Sequence, residues 1–154
     1  VFRLINELHR KNIRQFIVTS SSKKQVDLLV QNLFNGNNPF EFIISSEDVE
    51  LKKPNPLPYL KAVKLSGIKK HNSIVFEDSN PGLKSSLAAK LPTIFIPSNI
   101  PTKLEKDINL ECILNSLGDT HTVANVIKGP KLEKNYIDYD FLNNFLMTSY
   151  YAKN

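Results

Sequence analysis

The stretch Ser73-Ile74-Val75-Phe76-Glu77-Asp78-Ser79-Asn80-Pro81-Gly82 constrains the fold more than any other part of the chain. Three apolar, mostly β-favouring residues run into two adjacent carboxylates and then into a cluster of turn residues. A short apolar run bounded in this way reads as a buried strand of a parallel sheet. In open α/β sheets the ligand crevice lies at the carboxyl ends of the strands, where Glu77 and Asp78 would project. Two like charges side by side repel, so a hard divalent cation such as Mg²⁺ is their natural third party.

The rest of the chain alternates in the same sense. Val1, Leu4, Ile5 and Leu8 recur at helical spacing and predict an amphipathic opening helix. Residues 13–18 predict a strand with Phe16-Ile17-Val18 as its buried end, and Thr19-Ser20-Ser21-Ser22 follows with good helix N-caps. The next helix carries Val26, Leu29, Val30, Leu33 and Phe34 on one face and stops at Asn35-Gly36. Phe42-Ile43-Ile44 predicts a third strand, and residues 51–58 a loop punctuated by Pro54, Pro56 and Pro58. Pro58 suits the first turn of a helix with Tyr59, Leu60 and Val63 inward, closed by Gly67. After the 73–78 strand come a helix over 81–90, a strand over 93–96 and a short strand at Cys112-Ile113-Leu114. Beyond Asp119 the pattern weakens, and Leu142, Phe145 and Leu146 suggest a terminal helix. Strands alternating with helices at this spacing indicate a mostly parallel α/β sheet. The expected division is a core over 1–120 and a helical extension over 121–154, docked on the core or trailing it.

Three sites fall on the exits of successive βα units. Ser20, Ser21 and Ser22 sit between a strand and a helix N-terminus, where hydroxyls, open N–H groups and the helix dipole favour an anion. Lys53, on the proline-stiffened loop, can bring a positive charge to a phosphate. Glu77 and Asp78 can hold a divalent cation. Taken singly, these are a helix cap, a surface lysine and a solvated acidic turn. Their order, all on strand exits, points to phosphoryl transfer.

Composition narrows the alternatives. The 154 residues, 41% of them hydrophobic, suit one domain of common size. The net charge of +5 comes from lysines spread along the chain, without the arginine clusters or basic-aromatic interleaving of a nucleic-acid surface. No apolar run is long enough to span a bilayer, so no membrane partner is expected. The single cysteine, Cys112, excludes an internal disulfide and suits a reducing compartment, the cytoplasm or a plastid stroma. No G-x-G-x-x-G follows a strand, which disfavours a dinucleotide-binding module.

V-T-S-S-S at 18–22, K-K-P-N-P at 52–56 and V-F-E-D-S-N-P-G at 75–82 resemble motifs II, III and IV of the haloacid dehalogenase-like hydrolases. The likeness runs through Pro92-Thr93 and covers roughly residues 1–120. Leu117-Gly118-Asp119 is similar to the end of the CbbY-like subgroup. The resemblance implies a Rossmann-like three-layer α/β/α sandwich. It implies that Ser20 hydrogen-bonds the transferring phosphoryl group, with Ser21 and Asn80 beside it. It implies too that Lys53 stabilises the phosphorylated aspartate, and that Asp78, with Glu77, binds Mg²⁺. Relatives in this subgroup remove phosphate from small sugar phosphates such as xylulose 1,5-bisphosphate; the wider branch includes phosphoglycolate phosphatase and β-phosphoglucomutase. The expected function is therefore that of a Mg²⁺-dependent phosphatase working through an aspartyl-phosphate. A second class, a catalytically silent relative that binds a phosphorylated metabolite or a partner protein, keeps the same residues.

The chain departs from the family pattern in two places. Leu57 stands where an aspartate usually follows K-P-x-P. The first motif, D-x-D-G-T, with the nucleophilic aspartate, does not occur, and Asp27, Asp48, Asp107, Asp119, Asp138 and Asp140 lie in other contexts. The opening at Val1, already inside a helical pattern, leads to the expectation of a missing N-terminal segment with that motif and the cap domain. In the family's sheet the motif I strand lies between the 13–18 and 73–78 strands, so its absence should leave a gap. Losing ladder bonds over five residues on each side, at about 1 kcal/mol net per bond, is on the order of 10 kcal/mol. A whole domain is stable by only about 5–15 kcal/mol. The chain on its own is therefore expected to fold poorly.

Overall fold

A computed structural model of the protein describes residues 1–97, 110–119 and 121–151. Asp107 and the closing residues 152–154 lie outside that set. The elements run α1 (Phe2–Arg10), β1 (Phe16–Val18), α2 (Lys23–Phe34), β2 (Phe42–Ile44), α3 (Leu57–Ser66), β3 (Val75–Glu77), α4 (Asn80–Ala88), β4 (Thr93–Phe95), β5 (Cys112–Leu114), β6 (Val126–Lys128) and α5 (Tyr139–Tyr151). A 3₁₀ turn at Lys70–Asn72 leads into β3. The order and type of the elements follow the hydrophobic pattern, and the expected α/β fold with a mostly parallel sheet is present.

The strands form two sheets. β1 pairs with β2 in parallel, Ile17 opposite Ile43. β3, β4 and β5 are parallel neighbours, and β6 adds antiparallel to β5. Helices cover both faces. Leu4 and Leu8 of α1 and Phe141, Leu142 and Phe145 of α5 pack on Ile94, Cys112 and Leu114. On the opposite face Leu83 of α4 packs on Phe95 and Ile113, and Tyr59 of α3 packs with Val75 and Leu91. The alternation of Ile94 and Phe95 between the two layers is the period of 2 of a pleated strand.

Among the described residues β1 bonds to β2 alone and β3 to β4 alone, so an edge of each half-sheet is open. Between them lies a cavity of about 480 Å³ lined by Phe16 and Val18 of one half-sheet and Val75 and Phe76 of the other. Leu4 and Leu8 of α1 close one face of it, and Tyr59, Ala62 and Val63 of α3 the other. The expected gap is there, walled by apolar side chains.

Some details differ from expectation. Val26 and Val30 of α2 are buried, but Leu29 and Leu33 are exposed, as is Leu60 of α3. α2 buries only the Val26–Val30 stripe, narrower than its apolar arc. Phe34 is placed by its ring contacts with Phe2 and Phe40. The strands are three residues each: β1 starts later than the 13–18 run suggests but ends where expected, and β3 is shorter at both ends than the 73–78 run. Residues 121–151 contribute β6 to the larger sheet and α5 to its helical cover. β6 escapes sequence reading because Val126-Ile127 is too brief to show a period. Burial pushes the Cys112 thiol up to about 12, so it is an inert apolar residue of β5.

α5 depends on its cap. The Phe141 N–H donates to the Asp138 carboxylate at 3.0 Å, and Lys134 pairs with the same group. Burial pushes the Asp138 carboxyl up, but Lys134 and the Phe141 N–H outweigh it and hold it below the usual range. A depressed carboxyl contributes stability that is full above its unfolded pKa and lost as pH falls through the folded value. Asp138→Ala should therefore cost about 1 kcal/mol at pH 7 in urea unfolding. The difference from wild type should shrink below about pH 4.

Candidate functional site

The site lies where β1 and β3 end. β3 delivers Glu77 and then Asp78, and Ser79 caps α4 by accepting from the Gly82 N–H at 3.2 Å. Glu77 points inward and is buried; Asp78 is exposed at the mouth. The backbone of α4 passes so close that an added Cβ at Gly82 would sit 1.8 Å from Oε2 of Glu77. Glycine is there to make room for a carboxylate.

The loop before α3 brings Lys53 to the same point. Asn55 ties the loop down. Its Oδ1 accepts from the Leu57 N–H at 2.9 Å, and its carbonyl accepts from Ser85 Oγ at 2.6 Å. Asn55 thus supplies an anchor in the loop where Leu57 replaces the family's acid. The Lys53 side chain is only 9% exposed and that of Glu77 4%. Lys53 Nζ donates to the Val18 carbonyl at 2.9 Å, to Tyr59 Oη at 3.1 Å and to Glu77 Oε1. An ammonium has three N–H groups, and all three are used. Lys53 thereby ties the end of β1 to the end of β3 at the top of the cavity.

Tyr59 completes the cluster. Its hydroxyl donates to Glu77 Oε1 while accepting from Lys53. Burial first, and then the Glu77 charge, push the phenol far above its ordinary value, so it stays protonated and remains a donor. Sequence reading assigns Tyr59 only an inward face. The available signal was chemical: a tyrosine buried in the first turn of a helix needs a partner for its hydroxyl.

The three serines divide. Ser22 is the N-cap of α2 in a capping box with Gln25. Ser20 and Ser21 are exposed in the turn after β1. That turn is held to the end of β2 by Thr19 N–H to Ile44 O at 2.8 Å and Ser46 N–H to Ser21 O at 3.0 Å. The Ser21 N–H is taken by Thr19 Oγ1 at 3.1 Å and the Ser22 N–H by Gln25 Oε1 at 3.0 Å. Asn80 opens α4, half-buried beside the Ser79 cap. The structure thus brings Lys53 and Glu77 into contact, sets Asp78 next to them, and places Ser20 two residues beyond the carbonyl that holds Lys53.

Electrostatically, the charges of Lys53 and Glu77 offset each other, and Asp78 brings a second carboxylate to the mouth. Among the described residues no three His, Cys, Asp or Glu side chains gather into a metal cage. Mg²⁺ does not need one, since one or two carboxylates with water and phosphate oxygens suffice. Asp78, exposed at the mouth, fits that requirement, with Glu77 buried behind it and its Oε2 accepting from Ser79 Oγ at 3.3 Å. No described helix is long and apolar enough to cross a membrane.

Residues 1–96 match the sequence model of the haloacid dehalogenase-like hydrolases. The chain belongs to that family. CbbY of Rhodobacter capsulatus is 34% identical over 100 residues, 64% of this chain and 44% of the relative. Among solved structures, a mutant CbbY from Rhodobacter sphaeroides in complex with xylulose 1,5-bisphosphate superposes with a TM-score of 0.67. It is 28% identical, covering 75% of this chain and 52% of that one. A family hydrolase from Entamoeba histolytica gives 0.59 at 32% identity, covering 71% and 51%. As a haloacid dehalogenase-like hydrolase, the chain spans about half the length of these relatives.

Proposed function

We propose that the chain is the part of a Mg²⁺-dependent phosphatase of small phosphorylated sugars that holds the phosphate and the metal. The observation that carries this reading is the Lys53 ammonium, bonded at once to the end of β1 and to Glu77 at the end of β3, next to Asp78. Three motif segments far apart in sequence meet there.

In this reading Ser20, with Ser21 and Asn80, offers hydrogen bonds to the phosphoryl oxygens from the mouths of two helices. Asp78 is the principal metal-binding carboxylate and Glu77 the second, its inner oxygen held by Lys53 and Tyr59. The metal, when bound, offsets charge on the phosphoryl oxygens. Lys53 has no spare N–H and acts by charge and by fixing Glu77. An aspartate outside these 154 residues attacks phosphorus, the bond from phosphorus to the sugar oxygen breaks, and the sugar leaves as its alcohol. Water then cleaves the aspartyl-phosphate to free the carboxylate and inorganic phosphate. The core at 1–120 carries every one of these named residues.

The test is Asp78→Asn in a longer protein that joins this chain to a D-x-D-G-T segment. Turnover of a sugar phosphate should fall by about 100-fold or more as the anionic ligand is lost. Near-normal hydrolysis by the variant would defeat the assignment. No hydrolysis by the unmutated protein, with phosphate still bound, would favour a silent binding protein.

A further inference from the structure

We infer that the Tyr59 hydroxyl is a positioning group for Lys53, and through it for the anion this site takes. The inference rests on the phosphate reading above but is carried by separate geometry. Lys53 Nζ has three acceptors: the Val18 carbonyl, Glu77 Oε1 and Tyr59 Oη. The first is part of the backbone and the second is held under Gly82. The third sits on a side chain of α3 that is itself buried, and it both accepts from Lys53 and donates to the carboxylate Lys53 pairs with. Lysine, phenol and carboxylate form a closed triangle in which each edge fixes the other two. Without the hydroxyl the ammonium keeps two partners and an idle N–H in a site with little access to water. Its long stem is then free to turn.

The ring of Tyr59 has a different task. It packs with Val75, Ala89 and Leu91 beneath the site, and a phenylalanine keeps that contact. Tyr59→Phe therefore removes the positioning role and leaves the packing.

The decisive measurement is the ¹H–¹⁵N spectrum of the lysine ammonium groups of the longer protein that joins this chain to a D-x-D-G-T segment, beside a titration with inorganic phosphate in Mg²⁺. Exposed ammonium protons exchange with water too fast to be seen, whereas a buried, fully bonded group gives a cross-peak. One such peak is expected, absent from Lys53→Met and lost from Tyr59→Phe, with the thermal transition still cooperative. Phosphate should bind Tyr59→Phe about tenfold more weakly, the loss of one hydrogen bond to a charged group.

A peak unchanged in Tyr59→Phe, or none in the unmutated protein, overturns the inference. So does equal phosphate affinity once the peak is gone. If neither Tyr59→Phe nor 4-fluorophenylalanine at position 59 folds, the hydroxyl is structural and the inference fails. If the unmutated protein takes up no phosphate while the peak behaves as expected, the phosphate reading fails and the positioning of Lys53 stands.

Discussion

An extended apolar segment supplied to the cavity between β1 and β3 should raise the unfolding free energy of the chain by about 5–10 kcal/mol. The magnitudes decide the sign. A five-residue strand bonded on both sides adds up to about ten ladder bonds at roughly 1 kcal/mol net each. Ordering its backbone costs about 1–2 kcal/mol per residue, which offsets most of that gain. Burial of the side chains then decides. The cavity is walled by Phe16, Val18, Val75 and Phe76 with α1 and α3 above and below. Five apolar side chains buried at about 1.5–3 kcal/mol each exceed their own ordering cost. The segment should run parallel to both neighbours, since β1 and β3 each stand in parallel pairs. Urea unfolding of the chain with and without a tethered Val/Ile-rich segment reads the effect. A control with proline at its centre should give little, because it removes a ladder donor. An unchanged midpoint with the apolar segment would show that the two edges do not accept a strand.

Gly82→Ala should destabilise the chain by about 3–5 kcal/mol, the usual cost of leaving one member of a buried ion pair without its partner. The new Cβ would lie 1.8 Å from Oε2 and 2.1 Å from Cδ of Glu77, so the carboxylate must leave its place. Lys53 and the Tyr59 hydroxyl then lose their shared acceptor in a buried setting. Backbone strain is not the cause, for Gly82 lies within α4 and its φ is ordinary. Glu77→Gln should reduce the penalty of the alanine, since a neutral amide costs less to displace. Thermal melts of the two single variants and the double variant test the coupling. Additive losses would mean that the glycine serves the helix and not the carboxylate.

Local pattern was enough for much of this protein. Apolar runs ending in Thr19-Ser20-Ser21-Ser22 and Glu77-Asp78 defined β1 and β3, and Val26 with Val30 or Leu4 with Leu8 gave the buried stripes of α2 and α1. These features depend on neighbours a few residues away, which is what periodicity and capping report. Exposure of Leu29, Leu33 and Leu60 was not legible, because an apolar residue faces inward only if something covers it, and cover is a tertiary property. β6 was equally hidden, as three residues have no period and take their conformation from pairing with β5.

The site shows the same division. Its residue types and their place at strand exits were written in the chain, since a strand end followed by a helix start is a local event. Partnership was not. Whether Lys53 meets solvent or a carboxylate, and whether Tyr59 is filler or a donor, depended on a loop, two strand ends and a helix meeting at the open seam of the sheet. Hydrogen bonds reach about 3 Å and Lys53 and Glu77 are 24 residues apart, so folding alone brings them together.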